Sequence, residues 1–376
     1  MTQQQNPTAV RKRSDNQETL ARFSWPHLRP RLPLRFPLDP HLPPSPKHRY
    51  RSHYRYLDAE SLEDPQTLET LSAFEVALRL IDYAPLESLL ATHIYTPSAQ
   101  GQVPFHPVSM YLLRVYRRER NLSRPEAVRV LKGKGGDDLR RRLGFKDQFP
   151  TESGLRYFEK QITPQLQWEI DALQVEMLYQ AGLLPTRPDH KQEVTLSFDG
   201  MLHQAYSRMR CAHVRDKCYQ DAPRPCPARE KNKQGCDCAD PLCARFCRHG
   251  TARDPEARLM VYSGNNKRSA DNPNASTQDT DKKSARARLV YGYYSYAGQI
   301  LDLELATYWI LPAAFGSATT DDRVLFPDNW TALRARFPWL HIEAVLADAG
   351  AGYQCCLDHI CKAGALRLVD IRADMG

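Results

Sequence analysis

The spacing of apolar residues divides the chain into a helical part and a strand-rich part. From about residue 59, apolar positions recur near every 3.6 residues, as in DPQTLETLSAFEVALRLIDY, and this period is typical of amphipathic helices. After residue 190, apolar residues alternate with polar ones or form short runs, which indicates β-strands. We therefore predict an all-α helical domain over residues 59–190 and an α/β domain over residues 191–376.

Start and stop signals predict several short helices in the first of these domains. Pro65 and Pro107 suit first helical turns, and Ser123 with Glu126 forms an S-x-x-E capping box. Thr151 is predicted to cap the helix TESGLRYFEKQI, and the longer helix PQLQWEIDALQVEMLYQAGLL follows it. The pattern predicts a compact run of short helices joined by tight turns.

Basic residues concentrate in the later short helices of this domain. They are Arg140, Arg141, Arg142, Lys146, Arg156 and Lys160. Such helices are what a helix-turn-helix DNA reader needs, with these cations available for DNA phosphates. A plain helical bundle with solvated basic faces explains the same residues, so this pattern alone leaves both hypotheses open.

The strand-rich domain contains six candidate strands and two candidate helices. The strands are EVTLSFDG, RLMVYSG, RLVYGYYSY, QILDLELATYW, EAVLAD and ALRLVDI, with a hairpin turn predicted at Ala297-Gly298. The helices are TALRARF and GYQCCLDHICKA. Two insertions interrupt this order, a cysteine-rich segment over residues 203–257 and a polar, flexible loop over residues 264–285.

The first 58 residues carry the net charge of the protein. Residues 1–56 hold eleven basic and three acidic side chains, which equals the formal charge of +8 of the whole chain. They also hold nine of the 28 prolines, as in PHLRPRLPLRFPLDPHLPPSP, which excludes helix and favours extended, disordered chain. Such a segment suits a polyanion such as nucleic acid, although a solubilising extension without a partner has the same composition.

The stretch EAVLADAGAGYQ admits a nucleotide-binding and a metal-binding interpretation. Gly350 and Gly352 follow a strand, and Asp370 lies at the distance expected of a ribose-binding acid. The third glycine position is Cys355, however, which disfavours a dinucleotide cradle. The alternative takes Asp348, at the end of an apolar strand, as a metal ligand.

A second acid is presented in the same way, because Asp199 ends the apolar strand LSFDG. Two-metal phosphoryl transfer needs carboxylates on adjacent strands, since divalent ions about 4 Å apart must be bridged by hard oxygen ligands. The predicted element order follows the RNase H-like topology, which brings the first and fourth strands together. Either acid alone would be interpreted as a strand-end turn former, but together they favour a site.

Several segments resemble insertion-sequence transposases with a DDE catalytic domain. They are FDG at Asp199, ARDPEARLMVYSG, LVYGYYSY, VLADAGAGYQ and LVDIR, preceded by helices similar to that family's N-terminal domain in MYLLRVYRRERNLSRPEAVRVL, RRRLGF and TESGLRYFEKQI. The resemblance covers roughly residues 60–376 and depends on the order and spacing of the segments. It implies an RNase H-like mixed sheet with flanking helices, preceded by a DNA-binding helical domain.

The resemblance also implies an activity, a cofactor and a partner. Asp199 and Asp348 would hold Mg²⁺ or Mn²⁺ for metal-dependent cleavage and transfer of DNA strands. The partner would be double-stranded DNA, as terminal inverted repeats and target, and a homodimer is compatible with it. No membrane partner is expected, because no apolar run approaches the roughly 20 residues of a membrane span. We expect a bacterial cytoplasmic protein associated with the nucleoid.

The cysteine-rich segment is a candidate structural zinc site. Its candidate ligands are Cys226, Cys236, Cys238, Cys243, Cys247 and His249. Thiolates and imidazole suit tetrahedral Zn²⁺, and a small segment without apolar residues needs a staple to fold. The spacing is not a paired C-x-x-C array, so free thiols in a mobile loop are the alternative.

One departure from the family bears on activity. The family's third acid is a Glu on a helix beyond the fifth core strand, and we interpret this chain as a C-terminally truncated member without it. The alternative function is therefore a non-catalytic, zinc-stabilised DNA-binding remnant of a transposase.

Overall fold

The computed structural model describes eight stretches of the chain, which form a mixed α/β protein with two compact units. The described residues are 28–38, 50–56, 59–95, 103–145, 147–205, 257–262, 288–348 and 352–369. Unit 1 comprises Met1–Val194, Ile300–Pro312 and Arg336–His341, and unit 2 comprises Thr195–Gln299, Ala313–Ala335 and Ile342–Gly376. The predicted α/β class is confirmed.

Unit 1 contains a run of short helices around one hydrophobic core. The helices are α1 (Pro65–Thr70), α2 (Ala73–Leu80), α3 (Leu86–Ile94), α4 (Pro107–Glu119), α5 (Arg124–Lys132), α6 (Gly136–Arg142), α7 (Glu152–Gln161) and α8 (Pro164–Gln180). Their apolar faces meet at fully buried side chains such as Leu90, Leu112 and Phe145. The apolar faces that the helical periodicity predicts are therefore buried by packing of the helices against one another.

Helix starts in unit 1 follow the predicted capping residues. Ser123 accepts a hydrogen bond from the backbone of Glu126, whose side chain returns the bond, and Thr151 caps α7. The helical period that begins near Pro65 covers two helices, because Ser72 forms a second capping box and starts α2 as a separate helix. Helix α3 was not predicted, although it contributes several core residues.

The predicted disorder of the first 58 residues is wrong for the part that the structure describes. Strand β1 (Leu34–Arg35) pairs in parallel with β2 (Ile81–Asp82), and Arg35 donates a hydrogen bond to Asp82 at 2.9 Å. Leu34 and Phe36 are 3% and 2% exposed in the core. The burial of apolar residues between the prolines therefore offsets the conformational entropy that is lost when the segment becomes ordered. Residues 1–27, 39–49 and 57–58 lie outside the described residues.

A buried carboxylate holds helices of unit 1 together. Glu159 in α7, with a side chain 6% exposed, accepts a hydrogen bond from Arg117 at 2.8 Å and also pairs with Arg124. Arg117 is itself only 12% exposed. We expect Glu159→Ala to lower the free energy of unfolding by about 3 kcal/mol, because it leaves a largely buried guanidinium without its counter-charge. Denaturant unfolding followed by circular dichroism measures this loss.

The matched control is Glu152→Ala in the same helix. Glu152 pairs with Arg156, but both side chains are largely exposed. Its removal should change the unfolding free energy by less than about 0.5 kcal/mol. Equal effects of the two substitutions would contradict the role given to Glu159.

The described strands after residue 190 form one mixed sheet, and the described residues of this region also form two helices. The elements are β3 (Val194–Gln204), β4 (Arg258–Tyr262), β5 (Arg288–Asp302), β6 (Thr307–Ser317), α9 (Asp322–Arg336), β7 (Ile342–Ala347), α10 (Gln354–Lys362) and β8 (Leu366–Val369). The strand order is β4-β5-β3-β7-β8, and β6 also pairs with β5. Strands β4 and β5 are antiparallel, whereas β7 and β8 are parallel.

Two predicted boundaries in this region are wrong. Strand β5 continues through Ala297-Gly298, and the turn of the hairpin lies at residues 303–306. Buried Tyr296 and Ile300 on either side of that dipeptide keep the strand extended against the core. Helix α9 begins at Asp322, well before the predicted segment TALRARF, and contains Pro327 in its first two turns. The helix is therefore longer at its N-terminal end than the spacing of its apolar residues predicted.

Strands β3 and β7 lie side by side and run in the same direction. They are neighbours in the sheet, and Val194 at the start of β3 donates its backbone N–H to the carbonyl of His341, just before β7, at 2.9 Å. Because both strands begin at this hydrogen bond, they run in parallel, and β3 continues to Gln204 whereas β7 ends at Ala347.

An aromatic cluster packs α9 against the sheet within unit 2. Phe198 of β3 meets Phe326 of α9 edge-to-face with ring centroids 5.0 Å apart, and it stacks on Tyr296 of β5 at 5.9 Å. Trp330, one turn after Phe326, stacks on it at 5.6 Å. These side chains are at most 4% exposed, so they set how α9 lies on the sheet.

Candidate active site

Asp199 lies within β3, directly after its buried half, and the predicted end of the strand at this acid is wrong because β3 continues to Gln204. Val194, Leu196 and Phe198 are buried on one face, whereas Asp199 is exposed. Its carboxylate accepts a hydrogen bond from the backbone N–H of Gly200 at 2.7 Å. The alternation of the strand thus fixes its apolar side in the core and leaves Asp199 accessible.

Asp348 follows β7 in the same way. Ala344 and Val345 are buried in the middle of the strand, and Asp348 is exposed one residue past its end. Since β3 and β7 are parallel neighbours that begin side by side, Asp199 inside β3 and Asp348 just past β7 lie on adjacent strands. Residues 349–351 lie outside the described residues.

A third carboxylate, which the sequence did not predict, lies near both of these acids. Asp322 begins α9 and is half-buried. Burial raises the pKa of Asp322 above its usual range, and the negative charges of Asp348, Asp321 and Asp199 raise it further, against a lowering by a hydrogen bond with Tyr294. The negative charges of both predicted acids, Asp199 and Asp348, therefore contribute to the raised pKa of Asp322. The sequence signal that could have indicated this site is the pair of acids Asp321-Asp322 at the start of α9. It was missed because the helix was predicted to begin later, at TALRARF.

Two tyrosines of β5 approach the same acids. Burial raises the pKa of Tyr294, and its hydrogen bond to Asp322 and the charges of Asp322, Asp348 and Asp199 add to the rise. Burial likewise raises the pKa of Tyr296, followed by the charges of Asp322 and Asp348. Both phenols therefore stay protonated at neutral pH. Tyr294 donates its proton toward Asp322.

Two polar atoms at this place are buried without a hydrogen-bond partner. They are the hydroxyl oxygen of Tyr296, whose residue is 1% exposed, and Oδ1 of Asp322. Buried polar atoms of this kind are rare, because losing water without a replacement bond costs free energy. Nine such atoms occur among the described residues, and these two belong to side chains whose pKa is raised by the charge of Asp348.

Gly200 is required by the close approach of Tyr294. A Cβ atom at Gly200 would lie 1.6 Å from the Tyr294 hydroxyl oxygen and 2.2 Å from the ring carbon that bears it. We expect Gly200→Ala to lower the unfolding free energy by about 1–3 kcal/mol, because the tyrosine must move and give up its bond to Asp322. Thermal unfolding measures the change.

Gly135→Ala is the control for this substitution. A Cβ atom at Gly135 meets nothing within 4 Å, and the residue has an ordinary φ of −86°. It should leave stability unchanged or raise it by less than about 1 kcal/mol. A Gly200→Ala protein as stable as the Gly135→Ala protein would contradict the close packing of Tyr294.

The donor set at the sheet edge fits a hard divalent cation in chemical type. Carboxylate and phenol oxygens are the ligands and near neighbours that Mg²⁺ and Mn²⁺ accept, and one carboxylate oxygen of Asp322 has no other partner. Among the described residues, no three Asp, Glu, His or Cys side chains already converge into a metal-binding group. The assignment of Mg²⁺ to Asp199 and Asp348 thus stays a prediction.

The candidate zinc ligands lie outside the described residues, as do Cys211 and Cys218. This holds for Cys226, Cys236, Cys238, Cys243, Cys247 and His249, as it does for the predicted loop over residues 264–285. Cys356 of α10 is buried, and Cys355 and Cys361 are exposed. Zinc binding stays a prediction.

The predicted DNA-binding arginines are engaged in ion pairs within unit 1. Arg140 pairs with Asp137, Arg141 with Asp138, Arg142 with Glu75 and Asp138, and Arg156 with Glu152. Arg140 and Arg141 also line a surface cleft that contains Asp137 and Asp147. Lys160 is exposed, and Lys146 lies outside the described residues. The expected cationic surface is therefore partly neutralised by neighbouring acids.

Comparisons with known proteins add no relative. The chain matches no protein-family model, no curated protein and no solved structure. In the part of the chain that the structure describes, no helix is both long and apolar enough to cross a membrane.

Proposed function

We propose that this protein is a DNA transposase of the DDE superfamily, which cleaves DNA strands at the ends of an insertion element and transfers them to a target. The observation that carries the proposal is the presentation of Asp199 and Asp348 on adjacent parallel strands, with the charges of both reaching Asp322. Strand-end acids that share an electrostatic environment are what phosphoryl transfer requires.

The strand order supports an RNase H-like catalytic domain as the scaffold. The hairpin of β5 and β6 lies on one side of β3, and β7 and β8 lie in parallel on its other side. This is the arrangement expected for that topology, with the first core strand, β3, in the middle and the fourth, β7, beside it. Helix α9 connects the hairpin to β7, as a crossover between non-adjacent strands does.

The side chains at the sheet edge support metal-dependent chemistry on a phosphodiester. Asp199 and Asp348 would hold Mg²⁺ or Mn²⁺, which when bound activates a water or a 3′-hydroxyl for in-line attack at phosphorus. Both acids are exposed, so a DNA strand can reach them. Small residues follow both acids in the sequence, Gly200 after Asp199 and Ala349-Gly350 after Asp348.

DNA binding by the basic residues of unit 1 is compatible with their ion pairs. Arg141 and Asp138 are 79% and 48% exposed, and Arg156 and Glu152 are 66% and 41% exposed. Exposed pairs of this kind contribute at most about 1 kcal/mol, so a phosphate can replace the carboxylate. Arg140, Arg142, Lys146 and Lys160 complete the proposed surface.

The test is a cleavage assay on DNA that contains the genomic flanks of the protein's own coding sequence. The full chain is incubated with this plasmid in Mg²⁺ or Mn²⁺, and the ends of the products are mapped. The expected result is metal-dependent cleavage at two discrete boundaries that leaves 3′-hydroxyl ends, with no such products from a plasmid lacking the flanks.

Two outcomes would refute the proposal. One is the lack of boundary cleavage with either ion by a chain that is folded and binds DNA. The other is cleavage that survives in the double variant Asp199→Asn and Asp348→Asn, because the reaction would then not depend on the proposed acids.

A further inference from the structure

We infer that helix α7 is the element of unit 1 that reads DNA sequence, with Arg156 and Tyr157 on base edges in the major groove and Lys160 on an adjacent phosphate. The inference rests on the proposed function for DNA as the partner. It goes further by assigning base recognition to one helix face and by adding Tyr157, which the sequence pattern did not single out.

The phase of α7 separates a core face from a solvent face. Leu155 and Phe158 are 0% and 2% exposed and belong to the hydrophobic core of unit 1. The opposite face consists of four exposed residues at the spacing i, i+3, i+4 and i+7, which is one side of a helix. They are Ser153, Arg156, Tyr157 and Lys160.

A buried carboxylate holds α7 in this rotation. The Glu159 side chain is 6% exposed and pairs with Arg117 of α4 and Arg124 of α5, the two helices against which α7 packs. The negative charge of Glu159 is therefore directed inward and balanced by two arginines. A face that must read DNA needs this kind of rigid support from behind.

Tyr157 distinguishes this face from an ordinary solvated basic surface. Its side chain is 55% exposed, so folding leaves much of an aromatic ring in water. Tyrosine is enriched at interfaces because its ring supplies contact area and its hydroxyl a hydrogen bond. In the major groove, the ring can contact a thymine methyl group, while Arg156 can donate two hydrogen bonds to guanine.

The charge of the surrounding helices selects a polyanion as the partner. Residues 103–161 hold fourteen basic and seven acidic side chains, a formal excess of seven positive charges. Helix α5, which packs against α7, adds the exposed Arg129 and Lys132. DNA phosphates are attracted to such an excess, whereas a protein surface of mixed charge gains less from it.

The dimensions of α7 also suit the major groove. The groove is about 12 Å wide and admits an α-helix. Ser153 and Lys160 are seven residues apart, so the exposed face covers about 10 Å, or about three base pairs. Helix α6 is less suited, because Asp137 and Asp138 lie in its first turn and would meet the phosphates.

The test measures binding of the full chain to short labelled duplexes tiled across the genomic flanks of its coding sequence, by fluorescence anisotropy. A duplex of the same composition in shuffled order is the reference. We expect Arg156→Gln and Tyr157→Ala each to weaken binding to the best flank duplex at least about tenfold, and to change binding to the shuffled duplex less than about twofold. Circular dichroism checks that each variant is folded.

Two matched controls accompany these variants. Tyr308 is 56% exposed and lies in β6, so Tyr308→Ala removes an equally exposed ring outside the proposed face and should leave both affinities unchanged within about twofold. Arg141 is an exposed arginine that is paired within its own helix, as Arg156 is. As a phosphate contact, Arg141→Gln should weaken both duplexes alike.

Lys160→Gln tests the phosphate contact at the end of the face. It should weaken flank and shuffled duplexes equally and reduce the slope of log affinity against log salt concentration by about one. An unchanged slope would remove Lys160 from the interface.

The outcomes separate this inference from the proposed function. Flank-selective binding that survives both Arg156→Gln and Tyr157→Ala, or losses that are equal on the two duplexes, would overturn the inference and leave the proposed function standing. Flank-selective binding that requires both residues, in a protein that does not cleave the flanking DNA, would support the inference and refute the function. A wild-type protein that binds neither duplex would overturn both.

Discussion

Asp348→Asn is expected to lower the rate of DNA cleavage by about three orders of magnitude. A carboxylate that holds a catalytic cation contributes several kcal/mol of transition-state stabilisation, and about 4 kcal/mol corresponds to a thousandfold change in rate. The substitution preserves the size of the side chain and removes its charge. Because Asp348 is exposed beyond the end of β7, the fold should tolerate the change. Initial cleavage rates at saturating Mg²⁺ measure the loss.

The control for this prediction is Asp358→Asn in helix α10. Asp358 is bonded to Gln354 of the same helix, and the substitution removes the same charge from the next element of the chain. It should retain the wild-type rate within about twofold. If Asp348→Asn cleaves as fast as Asp358→Asn, Asp348 is a strand-end turn former and not a ligand.

Phe326→Ala is expected to cost about 3–5 kcal/mol of folding stability in unit 2, because it removes a fully buried ring that contacts Phe198, Tyr296 and Trp330. Denaturant unfolding followed by tryptophan fluorescence measures this loss, since Trp330 lies in the cluster.

Val324→Ala provides the comparison within the same helix. Val324 is 55% exposed, and its truncation should cost less than about 0.5 kcal/mol. If Phe326→Ala lowers stability by no more than this, the aromatic cluster does not hold α9 on the sheet, and the argument that places Asp322 at the site loses its support.

The two predicted acids show which features of the site the alternation of apolar and polar residues in a strand can predict. Asp199 and Asp348 each follow buried strand residues, and this local order is visible in LSFDG and EAVLAD. Both acids are accessible as predicted, but only Asp348 lies at a strand end, because β3 continues past Asp199 to Gln204. That β3 and β7 are neighbours was an expectation from element order, and the sheet has that arrangement.

Asp322 is a residue that the sequence pattern could not predict. Asp322 precedes a helix whose start is obscured by Pro327 and by a weak apolar period, so the sequence indicated a helix only from Thr331. Its importance comes from partners that are distant in the chain, namely Tyr294 in β5 and the acids of β3 and β7. Local sequence patterns cannot predict such a contact between distant segments, because it depends on how the helix between β6 and β7 packs on the sheet.

The N-terminal segment gives the opposite error. A high content of proline and basic residues predicted disorder, yet Leu34 and Phe36 are buried against the helices of unit 1. Composition averages over a segment, whereas burial depends on the two side chains that face the core. A parallel pairing with Ile81–Asp82 stabilises them.

The sequence by itself determined the α/β class, the main helix starts in unit 1 and the positions of Asp199 and Asp348 after buried strand residues, because periodicity, caps and alternation are local properties. The tertiary structure alone decided that Asp322 of α9 meets Tyr294 of β5. Their meeting is a consequence of the aromatic packing that fixes α9 on the sheet, and packing between distant segments is not encoded in any single stretch of the chain.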